Sequence, residues 1–262
     1  MWTSRRAPAL VSALMVGLVG CGGSMPPPTR SDAASAAPEA PTRASEAAPI
    51  QPTPDRSARG SSLDRIMRAH FEEALMIRQA VIAGTPERAA EPASALAHAR
   101  DMDQLPEGWR GFVERMQEVA SRLEDSVLIS RAASATADLG VACGMCHQQR
   151  GGPLASTERA PAEGTTLDSR MQRHVWATER LWEGLYVPSD DAWNLGAAAL
   201  SAAPFPSEVL NEGGVYARTA AADLARLVGK ASERRTLLDR ASLYAELLLT
   251  CGSCHRATRV TH

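Results

Sequence analysis

Two copies of the pentapeptide Cys-x-x-Cys-His are the part of this sequence best suited to chemistry. They are Cys143–His147 and Cys251–His255. The two thiols of such a motif can add to the vinyl groups of a haem, and the adjoining imidazole can ligate its iron. Anchors three residues apart lie on one helix face, about one turn from each other. The motifs therefore predict two covalently bound c-type haems. The predicted anchors are Cys143, Cys146, Cys251 and Cys254, and the predicted proximal iron ligands are His147 and His255.

Two other kinds of site use a Cys-x-x-Cys pair, namely zinc sites and redox-active dithiols. A zinc site would need its two pairs closer together than the roughly one hundred residues that separate these motifs. A redox dithiol does not need histidine in the next position, and the whole chain has only six histidines. Haem attachment is the reading that accounts for both complete motifs.

The first residues of the chain have the pattern of an export signal. Residues 1–20 combine two arginines with an apolar run that is short for a membrane span. The run ends at Leu18–Gly22, which resembles the bacterial lipobox and predicts lipidation of Cys21. With four of the five cysteines assigned to haem, Cys21 completes the account. We expect the protein on the periplasmic side of a bacterial membrane. Gly22, where Asp favours inner-membrane retention, favours the outer membrane.

Composition separates a tether from a folded part. Residues 21–61 are rich in Pro, Ala and Ser with almost no large apolar side chain, which predicts a disordered tether. The formal net charge is only −2, so no nucleic-acid partner is expected. The tether would let a membrane-anchored head reach nearby partners.

The remaining sequence is duplicated. Leu63–Phe71 aligns with Leu167–Val175 at an offset of 104 residues, and the two haem motifs align at an offset of 108. Apolar stripes of helical period and scarce strand signals predict an all-α fold. We expect two tandem four-helix bundles, each with a haem motif at the end of its last helix. Their predicted ranges are 62–150 and 165–262, joined by a linker at 151–164.

The placement of the motifs resembles the cytochrome c-prime family, the class II c-type cytochromes. Only seven residues follow His255, so a second iron ligand must come from upstream. The resemblance places that ligand on the first helix of each half. Each half offers a Met-x-x-His there. We expect His70 and His174 as distal ligands, with Met67 and Met171 as the open alternative. The resemblance also implies a homodimer as a further possibility.

These features predict an electron carrier and not an enzyme. A dihaem protein with both irons six-coordinate has no open position for a substrate, so it can only accept and pass on electrons. The expected partners are periplasmic or membrane redox proteins, with the lipid anchor holding the protein at the membrane. The alternative is a five-coordinate haem protein similar to cytochrome c-prime that binds or senses nitric oxide. A dihaem peroxidase is disfavoured because the bundles are small and the repeats nearly equivalent.

Overall fold

The structure is a computed structural model that describes residues 56–100, 105–153 and 155–259. The predicted signal peptide, Cys21 and nearly all of the predicted tether lie outside the described residues. Within them the secondary structure is helical and no strand occurs, which confirms the all-α prediction. No helix in these ranges has both the length and the apolar character needed to cross a membrane.

The first half contains the helices that the sequence pattern predicts. Their bounds are α1 Arg56–Ile82, α2 Ala90–Ala97, α3 Arg110–Glu124 and α4 Ile129–Arg150, with a short 3-10 turn at Pro86–Ala89 before α2. Helix α1 begins several residues before the predicted bundle boundary at residue 62. It is followed by Gly84, whose positive φ of 72° suits a residue without a side chain. The first haem motif lies in the last turns of α4.

The second half repeats this order with one addition. Its helices are α5 Leu167–Tyr186, α6 Asp190–Ser201, α7 Ser207–Glu212, α8 Gly214–Ala231 and α9 Leu237–Arg259. The six-residue α7 has no counterpart among the described residues of the first half, where residues 101–104 are not described. Side chains cap α5 and α9: Thr166 accepts from the Ser169 amide, and Thr236 and Asp239 bond reciprocally at the start of α9. The second haem motif lies near the end of α9.

Buried side chains from both halves form one continuous apolar cluster. Helix α4 packs along α9, α4 also packs on α5, and α1 packs on α9. Residues as far apart in sequence as Val81, Leu139, Leu185 and Leu248 are fully buried in this cluster. The predicted stripes on α1, α5 and α9 thus face the interior for most of their length, although Leu167 at the start of α5 is exposed. Packing between the halves therefore contributes to the stability of each.

A glycine within each haem motif permits this close packing. A side-chain carbon added at Gly144 would collide with the carbonyl oxygen of Leu185 at the end of α5. One added at Gly252 would collide with the carbonyl oxygen of Val81 at the end of α1 and with Ile129. Val81 and Leu185 are equivalent in the repeat, as are the two glycines. Each haem-motif helix therefore lies against the end of the first helix of the opposite half.

Replacing Gly252 with alanine should destabilise the protein although alanine is the better helix former. The added methyl group has no room, so we expect the free energy of unfolding to fall by about 1–3 kcal/mol. Gly229→Ala is the matched control, because nothing lies within 4 Å of that position in α8. It should raise the free energy of unfolding by about 0.5–1 kcal/mol. Urea titrations of both variants test this, and equal stability of the two would show that the close packing is not needed.

Candidate functional site

The first haem motif borders a cavity of about 740 Å³. Cys143, Cys146 and His147 from α4 form one wall. Met67 and His70 from α1, the two alternatives for the distal ligand, line the same cavity. The first motif and the ligand candidates, which are some eighty residues apart in sequence, therefore line the same cavity. The volume of this cavity is ordinary for a cofactor site.

The rest of the cavity wall is mainly apolar and aromatic. Trp109, Phe112, Val113 and Met116 come from the start of α3 and its N-terminal flank, and Phe71 comes from α1. Trp182 and Tyr186 come from α5, which belongs to the second half. A flat hydrophobic macrocycle suits such a lining, and the residues present fit a haem. The sequence indicated Trp182 as a core or haem-edge residue but not that α5 lines the cavity of the first motif, because no local pattern indicates that one half completes the cavity of the other.

His147 is held in the orientation that an iron ligand needs. Its Nδ1–H donates a hydrogen bond to the backbone carbonyl of Tyr186, with 2.5 Å between the nitrogen and the oxygen. A carbonyl can only accept, so the proton is on Nδ1 and the lone pair of Nε2 is available to a metal. A side-chain carbon added at Gly152 would collide with the His147 side chain, so this position has no room for a larger residue. The anchoring carbonyl again belongs to the second half.

Burial raises the pKa of all four motif thiols. The pKa of Cys143 is raised to about 12 and that of Cys251 to about 11, mainly by burial, and the pKa values of Cys146 and Cys254 are raised for the same reason. No disulfide joins any of these four cysteines. Dithiol exchange enzymes instead depress a cysteine pKa to form the thiolate at neutral pH. These surroundings suit covalent anchors better than a redox-active dithiol.

The described residues also offer no zinc site. No group of three or more His, Cys, Asp or Glu side chains converges in that part of the chain. A structural zinc ion needs four ligands, whereas an axial haem ligand needs only one well-placed side chain on each face.

The second motif has different surroundings. His174, the counterpart of His70, is buried, and its Nε2–H donates to the carbonyl of Ala203 at 2.6 Å. Its ring stacks edge-on against Phe205 with the centroids 5.0 Å apart. Burial lowers the pKa of His174, so the ring is neutral at pH 7. Iron ligation through Nε2 would require the loss of this bond to Ala203. Met171, the alternative ligand, is half-buried on the same helix.

Comparison with known proteins adds no relative to this description. The chain matches no protein-family model, no curated protein and no solved structure. The site must therefore be interpreted from its own residues.

The identity of the first distal ligand can be tested by substitution. We expect His70→Ala to convert the haem predicted at the first motif from low spin to high spin, because the variant removes the predicted ligand while Met67 stays in the cavity wall. Met67→Ala is the matched comparison, since it truncates the neighbouring candidate. Absorption and electron paramagnetic resonance spectra of the oxidised proteins provide the measurement. Loss of the low-spin signal in Met67→Ala alone would reverse the assignment.

Proposed function

We propose that the protein is a dihaem c-type cytochrome that carries electrons singly between periplasmic or membrane redox partners. The observation that carries the proposal is the cavity at the first motif, which brings two thiol anchors, a correctly oriented proximal histidine and two distal ligand candidates together. A bound haem would supply one-electron chemistry there. The chain itself provides the anchors, the axial ligands and an apolar enclosure.

Each element of the first cavity has a part in that role. Cys143 and Cys146 would fix the haem covalently, so that it cannot dissociate into the surrounding medium. The bond from His147 to the Tyr186 carbonyl keeps Nε2 directed away from that carbonyl and raises the basicity of the ring. The apolar wall limits the access of water, which sets the reduction potential through the local dielectric.

Within the all-α fold, we propose that the helices form two four-helix bundles in tandem. Helices α1–α4 form one repeat and α5–α9 the other, with a haem motif at the end of α4 and of α9. The segment between them is held against α5, since the amide of Ser156 donates to Glu183 at 2.5 Å and Arg173 donates to the Pro161 carbonyl at 2.9 Å. These contacts support a fixed linker between the proposed bundles.

The location proposed for this carrier rests on sequence. The export signal and the lipid on Cys21 would attach the head to the periplasmic side of a bacterial membrane, with the outer membrane favoured. Residues 21–61 would act as the tether. Both features lie almost wholly outside the described residues, and they remain predictions.

A second candidate, gas binding, is favoured by one observation on His174, the predicted distal ligand of the second motif. The Nε2 of His174 is already bonded to the Ala203 carbonyl. If Met171 does not ligate either, that iron would be five-coordinate and could bind nitric oxide, as the resemblance to cytochrome c-prime implies. The first motif, with both candidates lining its cavity, favours electron transfer.

Haem attachment itself gives the most direct test. The exported protein should carry the mass of two haems after denaturation. Replacing Cys143 and Cys146 with alanine should remove one haem, and replacing Cys251 and Cys254 should remove the other. Intact-protein mass spectrometry measures both losses. A wild-type protein with no covalent haem would refute the proposal.

Carbon monoxide distinguishes the two candidate functions. We expect the reduced dihaem protein to bind none, because each iron already has two axial ligands. The wild-type protein could instead bind one equivalent of carbon monoxide. If the Cys251→Ala/Cys254→Ala variant then binds none, gas binding belongs to the second motif. Stoichiometric binding at both irons would contradict electron transfer as the function. Optical titration of the dithionite-reduced protein measures the stoichiometry.

A further inference from the structure

A buried arginine lies between the two halves. Arg78 of α1 is only 3 % exposed. Its Nε donates to the Tyr244 hydroxyl at 2.7 Å, and its Nη2 donates to the Thr178 hydroxyl at 3.0 Å. Both partners are neutral. No ion pair found among the described residues includes Arg78. A buried cation without a carboxylate partner is costly, so its presence asks for an explanation.

Arg78 is close to the second haem motif. Tyr244, its hydrogen-bond partner, lies two turns before Cys251 on the same buried stripe of α9. Val81, one turn after Arg78 on α1, presents the carbonyl against which Gly252 packs. The positive charge also lowers the pKa of the Cys251 thiol, against the larger effect of burial. The same charge also lowers the pKa of Tyr186 in the wall of the first cavity, whereas the pKa of the Cys143 thiol is raised by burial and by Cys146.

The equivalent position in the other half is Trp182. It aligns with Arg78 at the offset of 104 residues, and its indole lines the first cavity. Each haem motif therefore lies near one of these two equivalent residues, contributed by the opposite half. The residue near the first motif is the neutral Trp182, and the residue near the second motif is the cationic Arg78. The charged residues that line the first cavity, such as Arg68 and Arg150, are exposed, so solvent screens their charge.

A series of packed rings leads from the first motif to Tyr244, two turns before the second motif on α9. The ring centroids of His147 and Tyr186 are 6.3 Å apart, those of Tyr186 and Trp182 are 6.0 Å apart, and those of Trp182 and Tyr244 are 5.9 Å apart. Arg78 bonds to the last ring of this series. Trp182 and Tyr244 are buried, so this part of the interior is compactly packed.

From this arrangement we propose that Arg78 makes the two haems unequal, raising the reduction potential of the haem on Cys251 and Cys254 so that electrons collect there. This inference rests on the proposed dihaem function. Reduction adds one electron to a haem, and a fixed positive charge in a low-dielectric interior favours the reduced state. The electron would come from the partner protein, and at equilibrium it would reside mostly on the second haem. No proton transfer and no bond change are required.

The test is a redox titration of the holoprotein and of variants at position 78. Arg78→Gln keeps a hydrogen-bonding side chain but removes the charge. It should lower the equilibrium constant for reduction of the higher-potential haem by about ten-fold, which is 59 mV for a one-electron step. The lower-potential step should move by less than about two-fold. Arg78→Lys keeps the charge and should retain most of the difference.

A matched control comes from the same helix. Arg65 is exposed on α1 and does not line the cavity. Arg65→Gln removes the same charge, and solvent screening should leave both steps within about two-fold of wild type. If Arg78→Gln moves neither step more than Arg65→Gln does, the proposal is wrong. It is equally wrong if the lower-potential step is the one that falls.

Two single-haem proteins provide a measurement that does not depend on the folding of Arg78→Gln. The Cys143→Ala/Cys146→Ala variant retains the second haem, and the Cys251→Ala/Cys254→Ala variant retains the first. The haem of the former should have the higher potential, and the reverse order overturns the inference. Failure of the dihaem function is recognised separately, because the wild-type protein would then show no covalent haem by mass.

Discussion

The structure depends on the close contact between each haem-motif helix and the first helix of the opposite half. Gly144 against the Leu185 carbonyl and Gly252 against the Val81 carbonyl are the points of closest approach. Any larger residue would separate the helices, open the shared core and move Trp182 and Tyr186 away from the first cavity. Stability and site geometry are therefore not independent properties here. The same contact that buries apolar surface also places a backbone carbonyl where His147 needs one.

This contact gives the proposed haem sites a composite character. The anchors of the first site belong to one half, whereas the acceptor for His147 and part of the aromatic wall belong to the other. The second half does not copy the first in its polar details, since His174 is bonded to Ala203 and His70 lines a cavity. Two motifs of nearly the same sequence thus have different electrostatic and hydrogen-bonding surroundings. The differences are in residues that neither motif contains.

Local sequence signals predicted the helical fold and most of the elements of the site. The period of apolar residues indicated the helices. The Cys-x-x-Cys-His motifs and the Met-x-x-His pairs indicated which residues to compare. What could not be predicted is packing between distant elements. Nothing near Trp182 or Arg78 in sequence shows that these side chains reach the motif of the opposite half, and nothing near His174 shows that the Ala203 carbonyl will accept its proton. The insertion of α7 was missed for a similar reason, since six residues hold too little periodicity to be recognised.

The equivalence of Arg78 and Trp182 in the repeat has a consequence for symmetry. In a two-fold dimer of identical chains, the two sites are faced by the same residue of the two subunits. A substitution at that residue would therefore alter both sites at once. Joining two copies in one chain removes that constraint. Each copy can then acquire its own residue at the shared boundary without altering the other. The pairing of an indole with a guanidinium at corresponding positions is a difference that a symmetric dimer of identical chains could not maintain.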